Sequence, residues 1–326
     1  MKRAIILTLV VLSVFMIALF GQTVSAMEAK SFPSVTKGDY IEYIMKYTTD
    51  EEDIDENVTI KANEWSMKYT IEKEEKIKIG GKDVDCWVAK VTMNVDMESE
   101  SVVMGETMKM KMIIDGEGQY WISKESGEMV KQESETTTSS LMDYPTSMEA
   151  YVQDTESESV DKETSVAKAD ATGVPKTIKK GDKWTMKIIR DVNTETKSRN
   201  KDGGTWSDWT TSTDTSTDEE ETDFEAVAEL DTTVPAGKFE TIKVSVKDEG
   251  ETDIGEYCYV SKDGLRVKFE YVDDEGKAQQ SMELKSYKIG GGSSSDEKDS
   301  FLPGFEAFLV LAAGISAIIL VRKFKK

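Results

Sequence analysis

The sequence predicts an all-β protein: two related antiparallel β-sheet units, of sandwich or half-barrel type, between an N-terminal signal helix and a C-terminal transmembrane helix. Three observations carry this prediction. Apolar and polar residues alternate through most of the chain, segments of the first half recur in the second, and both ends are apolar. Alternation with a period of two places apolar side chains on one face of a strand. Two such sheets bury their apolar faces against each other.

The N-terminus has the pattern of a secretory signal peptide. Lys2 and Arg3 precede an apolar segment from Ala4 to Phe20, and Val24-Ser25-Ala26 offers small residues at a cleavage site. We therefore predict a signal peptide over residues 1–26, cleaved before Met27. An uncleaved N-terminal helix is the alternative.

Residues 27–132 are predicted to form the first β unit. Apolar residues alternate in several runs, and Gly80-Gly81 is typical of a hairpin turn. The sequence Asp115-Gly116-Glu117-Gly118 indicates a further turn. The alternating runs are Ile41, Tyr43, Met45 and Tyr47; Trp65, Met67, Tyr69 and Ile71; and Trp87, Ala89, Val91, Met93 and Val95.

Residues 133–172 are rich in Ser, Thr, Glu and Asp and contain few large apolar residues. Such a composition rarely supports a packed core, so it predicts a linker or a long exposed excursion. Its few apolar residues would suffice for one edge strand.

Residues 173–289 are predicted to form the second β unit, as a copy of the first. Lys37-Gly38-Asp39 recurs as Lys180-Gly181-Asp182, and the segment 118–124 recurs as 255–262. Because order and spacing are preserved, the pattern indicates an internal duplication. Chance similarity between β-hairpins with polar turns is the alternative.

The C-terminus is predicted to be a membrane anchor. Residues 290–300 form a Gly/Ser stalk, and residues 301–326 contain an apolar run from Ala307 to Val321 followed by a basic tail. That run of 15 residues would make about 22 Å of helix, a marginal length for a bilayer. Basic residues remain in the cytoplasm, which predicts an N-out, C-in topology at the cell surface.

Pro303-Gly304-Phe305, followed by this short apolar helix and basic tail, resembles the PGF-CTERM sorting signal of archaeal surface proteins. The resemblance covers only about the last 25 residues. It implies that an archaeosortase-type enzyme removes the helix and that a prenyl-type lipid anchors the new C-terminus. It implies nothing about the ectodomain, and a permanent single-pass helix is the alternative.

The passage from Val234-Pro-Ala-Gly-Lys-Phe239 to Gly264-Leu-Arg-Val267 resembles secreted β-rich domains, in outline the curved half-barrels of the LolA/LppX lipoprotein-carrier type. The resemblance covers about 40 residues and its motif is loose. It implies a twisted antiparallel sheet more than any particular ligand.

The charge of the chain excludes nucleic acid as a partner. The chain has 41 basic and 63 acidic residues. Without the six bases and one acid of the two terminal signals, residues 27–303 carry a net charge near −27. Such a surface repels nucleic acid and anionic lipid headgroups.

No catalytic, cofactor or metal site is predicted. Histidine is absent, so the commonest general base and zinc ligand is missing. The acidic runs 50–56 and 218–223 lack calcium-loop spacing and are predicted to be solvated loops. Met108, Met110 and Met112 fall on one face of a strand, and without Cys or His beside them they indicate a sheet face rather than a copper site.

Residue type and spacing indicate three further features. Cys86 and Cys258 would form one disulfide outside the cell, or else remain buried thiols. Asn57-Val58-Thr59 is a possible N-glycosylation site. Trp206 and Trp209 would suit a sugar or partner, but a separation of three residues puts them on opposite faces of a regular strand, which favours hairpin packing.

These observations predict a membrane-anchored, acidic cell-surface protein with a non-enzymatic structural, adhesion or display role. Its envelope partner is not indicated by the sequence. The alternative is an extracytoplasmic binding module that holds a lipid or other apolar ligand in a curved β-sheet. An enzyme using carboxylates is the third and weakest hypothesis.

Overall fold

The structure is a computed structural model of the chain. The predicted signal peptide, Asn57, the stalk beyond Gly290 and the sorting motif Pro303-Gly304-Phe305 lie outside the residues it describes. The described residues are 27–31, 33, 35–47, 58–103, 106–144, 155–202, 204–248, 255–272, 276 and 278–290.

The described residues form fifteen β-strands, and none of them belongs to a helix that could cross a bilayer. The all-β prediction is confirmed. The strands are β1 (Glu28–Lys30), β2 (Tyr40–Tyr47), β3 (Val58–Ile79), β4 (Lys82–Val103), β5 (Glu106–Ser123), β6 (Met129–Asp143), β7 (Thr155–Ala167), β8 (Thr177–Lys179), β9 (Lys183–Asp202), β10 (Thr205–Trp206), β11 (Thr210–Val234), β12 (Gly237–Asp248), β13 (Gly255–Ser261), β14 (Arg266–Val272) and β15 (Ala278–Lys288).

Twelve of these strands form one closed antiparallel barrel, where the sequence predicted two units. The order is β9, β11 to β15, then β2 to β7, and β7 pairs with β9 to complete the circle. The two halves meet at β15 and β2, where Met282 is paired with Met45. The outermost strands of one half, β2 and β7, therefore pair with the outermost strands of the other, β15 and β9. The closed sheet has no edge strand that is unpaired along its whole length.

The segment predicted to be a linker contains two barrel strands, β6 and β7, which pair with each other from Lys131–Val166 to Met142–Thr155. Both are fully paired on their two sides. The linker prediction was wrong because these strands have polar residues on both faces. Thr is itself a good strand former, so a Ser/Thr-rich segment can enter a sheet when its backbone finds partners.

The two recurring Lys-Gly-Asp segments occupy equivalent turns. Gly38 N and Ile71 O lie 2.8 Å apart, and Gly181 N and Ala226 O lie 2.7 Å apart. Both glycines have positive φ, 90° and 94°, which an L side chain rarely adopts. Six barrel strands follow each turn, an arrangement that a duplicated sequence would produce. The short strands before the two turns, β1 and β8, pair with each other as a separate small sheet.

The hydrophobic core fills the end of the barrel where these turns lie, here called the base. Tyr43 and Phe269 are almost completely buried there and make an edge-to-face contact with ring centroids 6.2 Å apart. The Tyr43 hydroxyl donates to the Arg266 carbonyl at 2.9 Å. Ala29 of β1 and Ile178 of β8 are both fully buried, so the small sheet belongs to this core.

The strands are unequal in length, so among the described residues one side of the barrel is missing at the other end. Strands β12 to β15 and β2 have 7 to 12 residues, whereas β3 to β7, β9 and β11 have 13 to 25. Strand β12 pairs with β11 only from Thr222 onward, leaving Thr210–Glu221 beyond it. The seven long strands thus continue as a curved wall. We call its concave face, beyond the ends of the short strands, the trough.

The two equivalent turns allow a matched test of the base. The buried Asp39 carboxylate accepts hydrogen bonds from Thr36 N (2.7 Å), Thr36 Oγ1 (3.0 Å) and Gly290 N (3.1 Å), whereas the exposed Asp182 accepts one from Lys179 N (2.8 Å). We expect Asp39→Ala to lower the free energy of unfolding by about 2–3 kcal/mol, because it leaves several donors unsatisfied. Asp182→Ala should cost less than about 1 kcal/mol.

Urea unfolding followed by tryptophan fluorescence measures both values. Equal losses in the two variants would show that the hydrogen bond from Gly290 N to Asp39 contributes nothing to the free energy of unfolding.

Candidate functional site

The trough is built by inward-facing residues whose direction is fixed by strand pairing. Directly paired residues on neighbouring strands point to the same side of a sheet. One such row starts at the buried Tyr43 and Met67, which define the inner side. It continues across the long strands through Met93, Gly116, Thr136, Asp161, Thr196 and Ser212.

This row changes character between β5 and β6. On β3 to β5 it is apolar, and from β6 onward it carries hydroxyls and a carboxylate. The next two rows change at the same place: Val95 and Ile114 are followed by Thr138 and Ser159, and Met97 and Met112 by Ser140 and Ser157. The row after these is mixed, with Ser99, Met110, Met142 and Thr155. The trough therefore has two sides of opposite polarity.

The apolar side, here called the apolar wall, lies on β4 and β5. Met112 is 2% exposed, whereas Met108 and Met110 are only half-buried. The three methionines share the face that their spacing predicted. Thioether side chains are flexible and polarizable, so such a wall can adapt to ligands of irregular shape. Its apolar members are Val95, Met97, Met108, Met110, Met112 and Ile114, and Ser99 shares this face opposite Met110.

The opposite side, here called the polar wall, lies on β6, β7, β9 and β11. Its groups form hydrogen bonds across strands: the Ser140 and Ser157 hydroxyls lie 2.6 Å apart, and Thr196 Oγ1 donates to Asp161 Oδ1 at 2.6 Å. One methionine, Met142, also lies on this side. The polar members are Ser134, Thr136, Thr138, Ser140, Ser157, Ser159, Asp161, Glu163, Thr194, Thr196, Ser198, Ser212, Asp214 and Ser216.

Two glycines mark the junction between the walls. The sequence predicted a turn at Asp115–Gly118, but β5 runs through it without interruption. A Cβ on Gly118 would lie 2.7 Å from the Glu133 carbonyl oxygen and 2.8 Å from Ser134 Cβ. These glycines therefore let β5 and β6 approach closely at the bottom of the trough.

Charged residues lie below the polar wall, between the trough and the core. Arg190 contacts Glu220 at 2.6 Å, and both side chains are largely buried. Glu128 is 1% exposed, and burial raises its pKa to about 8, outweighing the nearby Arg266 and Arg190 guanidinium groups. Burial also raises the pKa of Glu163, and the Asp218 carboxylate adds to this effect.

Four buried oxygen atoms in this region have no hydrogen-bond partner among the described residues. They belong to side chains that face the barrel interior or its base. These atoms are Gln132 Oε1, Ser165 Oγ, Glu128 Oε2 and Glu220 Oε1. Buried polar atoms in native proteins are normally satisfied by protein, water or ligand.

The two cysteines are not disulfide-bonded in the structure; both are buried thiols. Cys86 lies on β4 and Cys258 on β13, strands separated by β14, β15, β2 and β3 in the sheet. Burial raises the pKa of Cys86 to about 12 and also raises the pKa of Cys258. The structure therefore agrees with the second of the two hypotheses, that both cysteines are buried thiols.

Trp206 and Trp209 lie together rather than on opposite faces. Strand β10 ends at Trp206 and β11 begins at Thr210, so no regular strand joins the two indoles. The Arg199 guanidinium carbon lies 4.6 Å from each ring centroid, and Trp209 is 43% exposed. The prediction of opposite faces was wrong because the chain leaves the strand for residues 207–209.

The second acidic run, predicted to be a solvated loop, is part of β11. It faces basic residues of β9: Glu221 pairs with Lys187, and Glu220 with Arg190. The first run, residues 50–56, lies outside the described residues. Cross-strand partners that are distant in sequence explain why the run is a strand.

A depression of about 340 Å³ lies on the outer face near the start of β9. Four of its six polar residues pair with one another: Lys183 with Glu225 at 3.0 Å and Thr185 with Asp223 at 2.5 Å. It therefore offers little unsatisfied chemistry to a ligand, and the trough is the stronger candidate.

The sequence matches no family model and no curated protein. A protein from Bacteroides fragilis, named as an exported protein with a YmcC-like fold, aligns over 80% of this chain and 100% of its own, with 12% identity and a TM-score of 0.29. A protein from Parabacteroides distasonis, named as a lipoprotein, aligns over 80% and 99%, with 13% identity and a TM-score of 0.27. At these TM-scores neither likeness carries an argument about fold or function.

The state of the cysteines predicts a labelling result. If the chain is unfolded without reductant in excess iodoacetamide, both thiols should react, because neither is oxidised in the folded protein. Intact-mass spectrometry should show two added groups per chain, with or without prior reduction. Labelling that requires reduction would establish a disulfide instead.

Glu128 predicts a pH dependence of stability. Its folded pKa of about 8 exceeds its ordinary value of 4.5, so between these values the folded state binds an extra proton. Stability therefore falls as pH rises through this window. Glu128→Gln removes the titration, and we expect it to stabilise the protein at pH 8, relative to wild type, by on the order of a few kcal/mol.

Urea unfolding at pH 5 and pH 8 measures this difference. Glu133→Gln, at an exposed position on the outer face of β6, the strand that follows Glu128, is the matched control and should show no such gain. A loss of stability in Glu128→Gln at pH 8 would mean that the charged carboxylate is required.

Proposed function

We propose that this protein is a non-enzymatic, extracytoplasmic binding protein that holds a lipid or other apolar ligand in the trough. The observation that carries the proposal is the two-sided concave face, on which the same rows pass from methionine and aliphatic side chains to hydroxyls and carboxylates. A surface with both characters suits an amphipathic molecule, with its chain on one wall and its polar part on the other.

The half-buried methionines support an apolar ligand. Met97, Met108 and Met110 line a concave surface without being covered completely. Contiguous apolar surface that remains accessible is typical of binding sites. The core fills the base of the barrel, so a ligand would lie in the trough rather than within the closed part.

The terminal sequences support a location at the cell surface. We propose that the signal peptide is removed and that the C-terminus is anchored N-out, C-in, by its helix or by a lipid that an archaeosortase-type enzyme attaches. The described chain begins at the base, where Met27 N donates to Glu229, and ends there at Gly290. The trough would then open away from the point where the stalk leaves the barrel.

A second candidate, the adhesion or display role, is favoured by the indole pair at the rim. Trp209 is exposed, and its ring shares the Arg199 guanidinium with Trp206. However, Arg199 is also bonded to Glu158 through Nε at 2.8 Å and through Nη2 at 2.5 Å. Because these contacts stabilise the hairpin itself, the pair is a weaker indication than the trough.

The proposal predicts that the full-length protein in lipid nanodiscs binds the neutral apolar probe N-phenyl-1-naphthylamine. The double variant Met108→Asp/Met110→Asp should weaken binding at least about tenfold, because it puts two charges on the apolar wall. Tryptophan-sensitised probe emission, after subtraction of empty nanodiscs, measures the affinity.

The matched control is Thr107→Asp/Ile113→Asp, which adds the same two charges to the exposed outer face of the same strand. It should retain wild-type affinity. Equal losses in both variants, or no binding by the wild type, would contradict the proposed function.

A further inference from the structure

We infer that the polar part of the ligand is an uncharged, hydroxyl-rich group such as a sugar, bound on the polar wall. This inference rests on the proposed function and names the ligand class of the same site. It depends on three properties of the polar wall: buried oxygens without partners at its foot, a ladder of hydroxyls above them, and the sign of its charge.

The foot of the wall has hydrogen-bonding atoms that the described residues do not satisfy. Gln132 of β6 and Ser165 of β7 are directly paired, 5% and 2% exposed, and share the inner side with the wall. Gln132 Nε2 donates to Ser134 Oγ at 2.9 Å, but Gln132 Oε1 and Ser165 Oγ have no partner there. An adjacent acceptor and hydroxyl at such depth require a group that donates and accepts hydrogen bonds.

Above this pair the inward hydroxyls repeat with every second residue. The rows Ser134–Glu163–Thr194, Thr136–Asp161–Thr196 and Thr138–Ser159–Ser198 follow one another along the strands. From Gln132 to Ser140 the ladder extends about 26 Å, at about 3.3 Å per residue. That length can accommodate more than one sugar ring, and each ring would meet both donors and acceptors.

The charge of the wall argues against an anionic headgroup. Asp161, Glu163, Asp214 and Asp218 face inward, and among the described inward residues of these four strands the cation is Arg190, which pairs with Glu220. A phosphate would meet several carboxylates at short range in a partly desolvated site.

A simple ammonium headgroup is a poorer match than a polyol. It provides donors alone, whereas the Ser and Thr hydroxyls of the wall also need acceptors when water is displaced. The carboxylates can accept from sugar hydroxyls, and the wall hydroxyls can donate to sugar oxygens. An uncharged polyol thus uses both kinds of group.

Displacement of N-phenyl-1-naphthylamine from the full-length protein in nanodiscs tests the inference. The competitors share one alkyl chain and differ in headgroup: octyl glucoside, octanol, octylamine and octyl phosphate, each below its micelle-forming concentration. We expect octyl glucoside to displace the probe at about tenfold lower concentration than octanol. Octyl phosphate should be weaker than octanol.

A matched pair of variants locates the effect. Thr136→Val/Thr138→Val removes two hydroxyls from the polar wall while keeping their shape, and should reduce the advantage of the glucoside over octanol to less than about threefold. Thr137→Val/Thr164→Val removes two hydroxyls from the exposed outer faces of β6 and β7 and should leave the advantage unchanged.

The outcomes separate the two proposals. Probe binding without a preference for the glucoside would overturn the inference and leave the proposed function intact. Strongest displacement by octylamine or octyl phosphate would also overturn it, in favour of a charged headgroup. No probe binding by the wild type would remove both.

Discussion

The pairing of β7 with β9 is the constraint on which the rest of the structure depends. It extends from Ala167–Arg190 to Glu156–Lys201 and joins the two halves of the chain into one closed sheet. Strand β7 has little apolar surface to bury, so backbone hydrogen bonds to β6 and β9 hold it in place. Ion pairs such as Arg199–Glu158 add to this on the outer face, at half-buried positions where their contribution is modest. Without this pairing the polar wall would be divided between β7 and β9.

The strands with an apolar face could be predicted from the sequence, because alternation of apolar and polar residues directly indicates a buried face. Runs such as Ile41, Tyr43 and Met45 are strands whose odd-numbered side chains enter the core. The polar strands could not be predicted in this way. In β6 and β7 both faces are polar, so no alternation distinguishes them from a linker. Closure likewise depends on partners far apart in the chain, and local patterns carry no information about which edges meet.

The trough was only partly predictable for the same reason. The methionine spacing correctly indicated one face of a strand, but nothing in it says that the opposite wall carries hydroxyls. Residues such as Thr136 and Asp161 become a site only through the register of three strand pairs. The tryptophan pair shows the reverse case. Residues 207–209 belong to no strand, so strand periodicity does not relate the directions of Trp206 and Trp209.

The barrel separates its apolar core from the proposed binding surface along its length, and unequal strands are the cause. Both halves contribute six strands and an equivalent turn at the base, yet the long strands are β3 to β7 from the first half and β9 and β11 from the second. A sheet of equal strands would close along its whole height and fill with side chains. Because β12 to β15 are short, the described residues of the upper barrel form one side alone, and its inner face is not covered by an opposite wall of described strands. The fold therefore has a concave surface beside a complete core, and the residues there can be polar because the base already supplies the apolar packing.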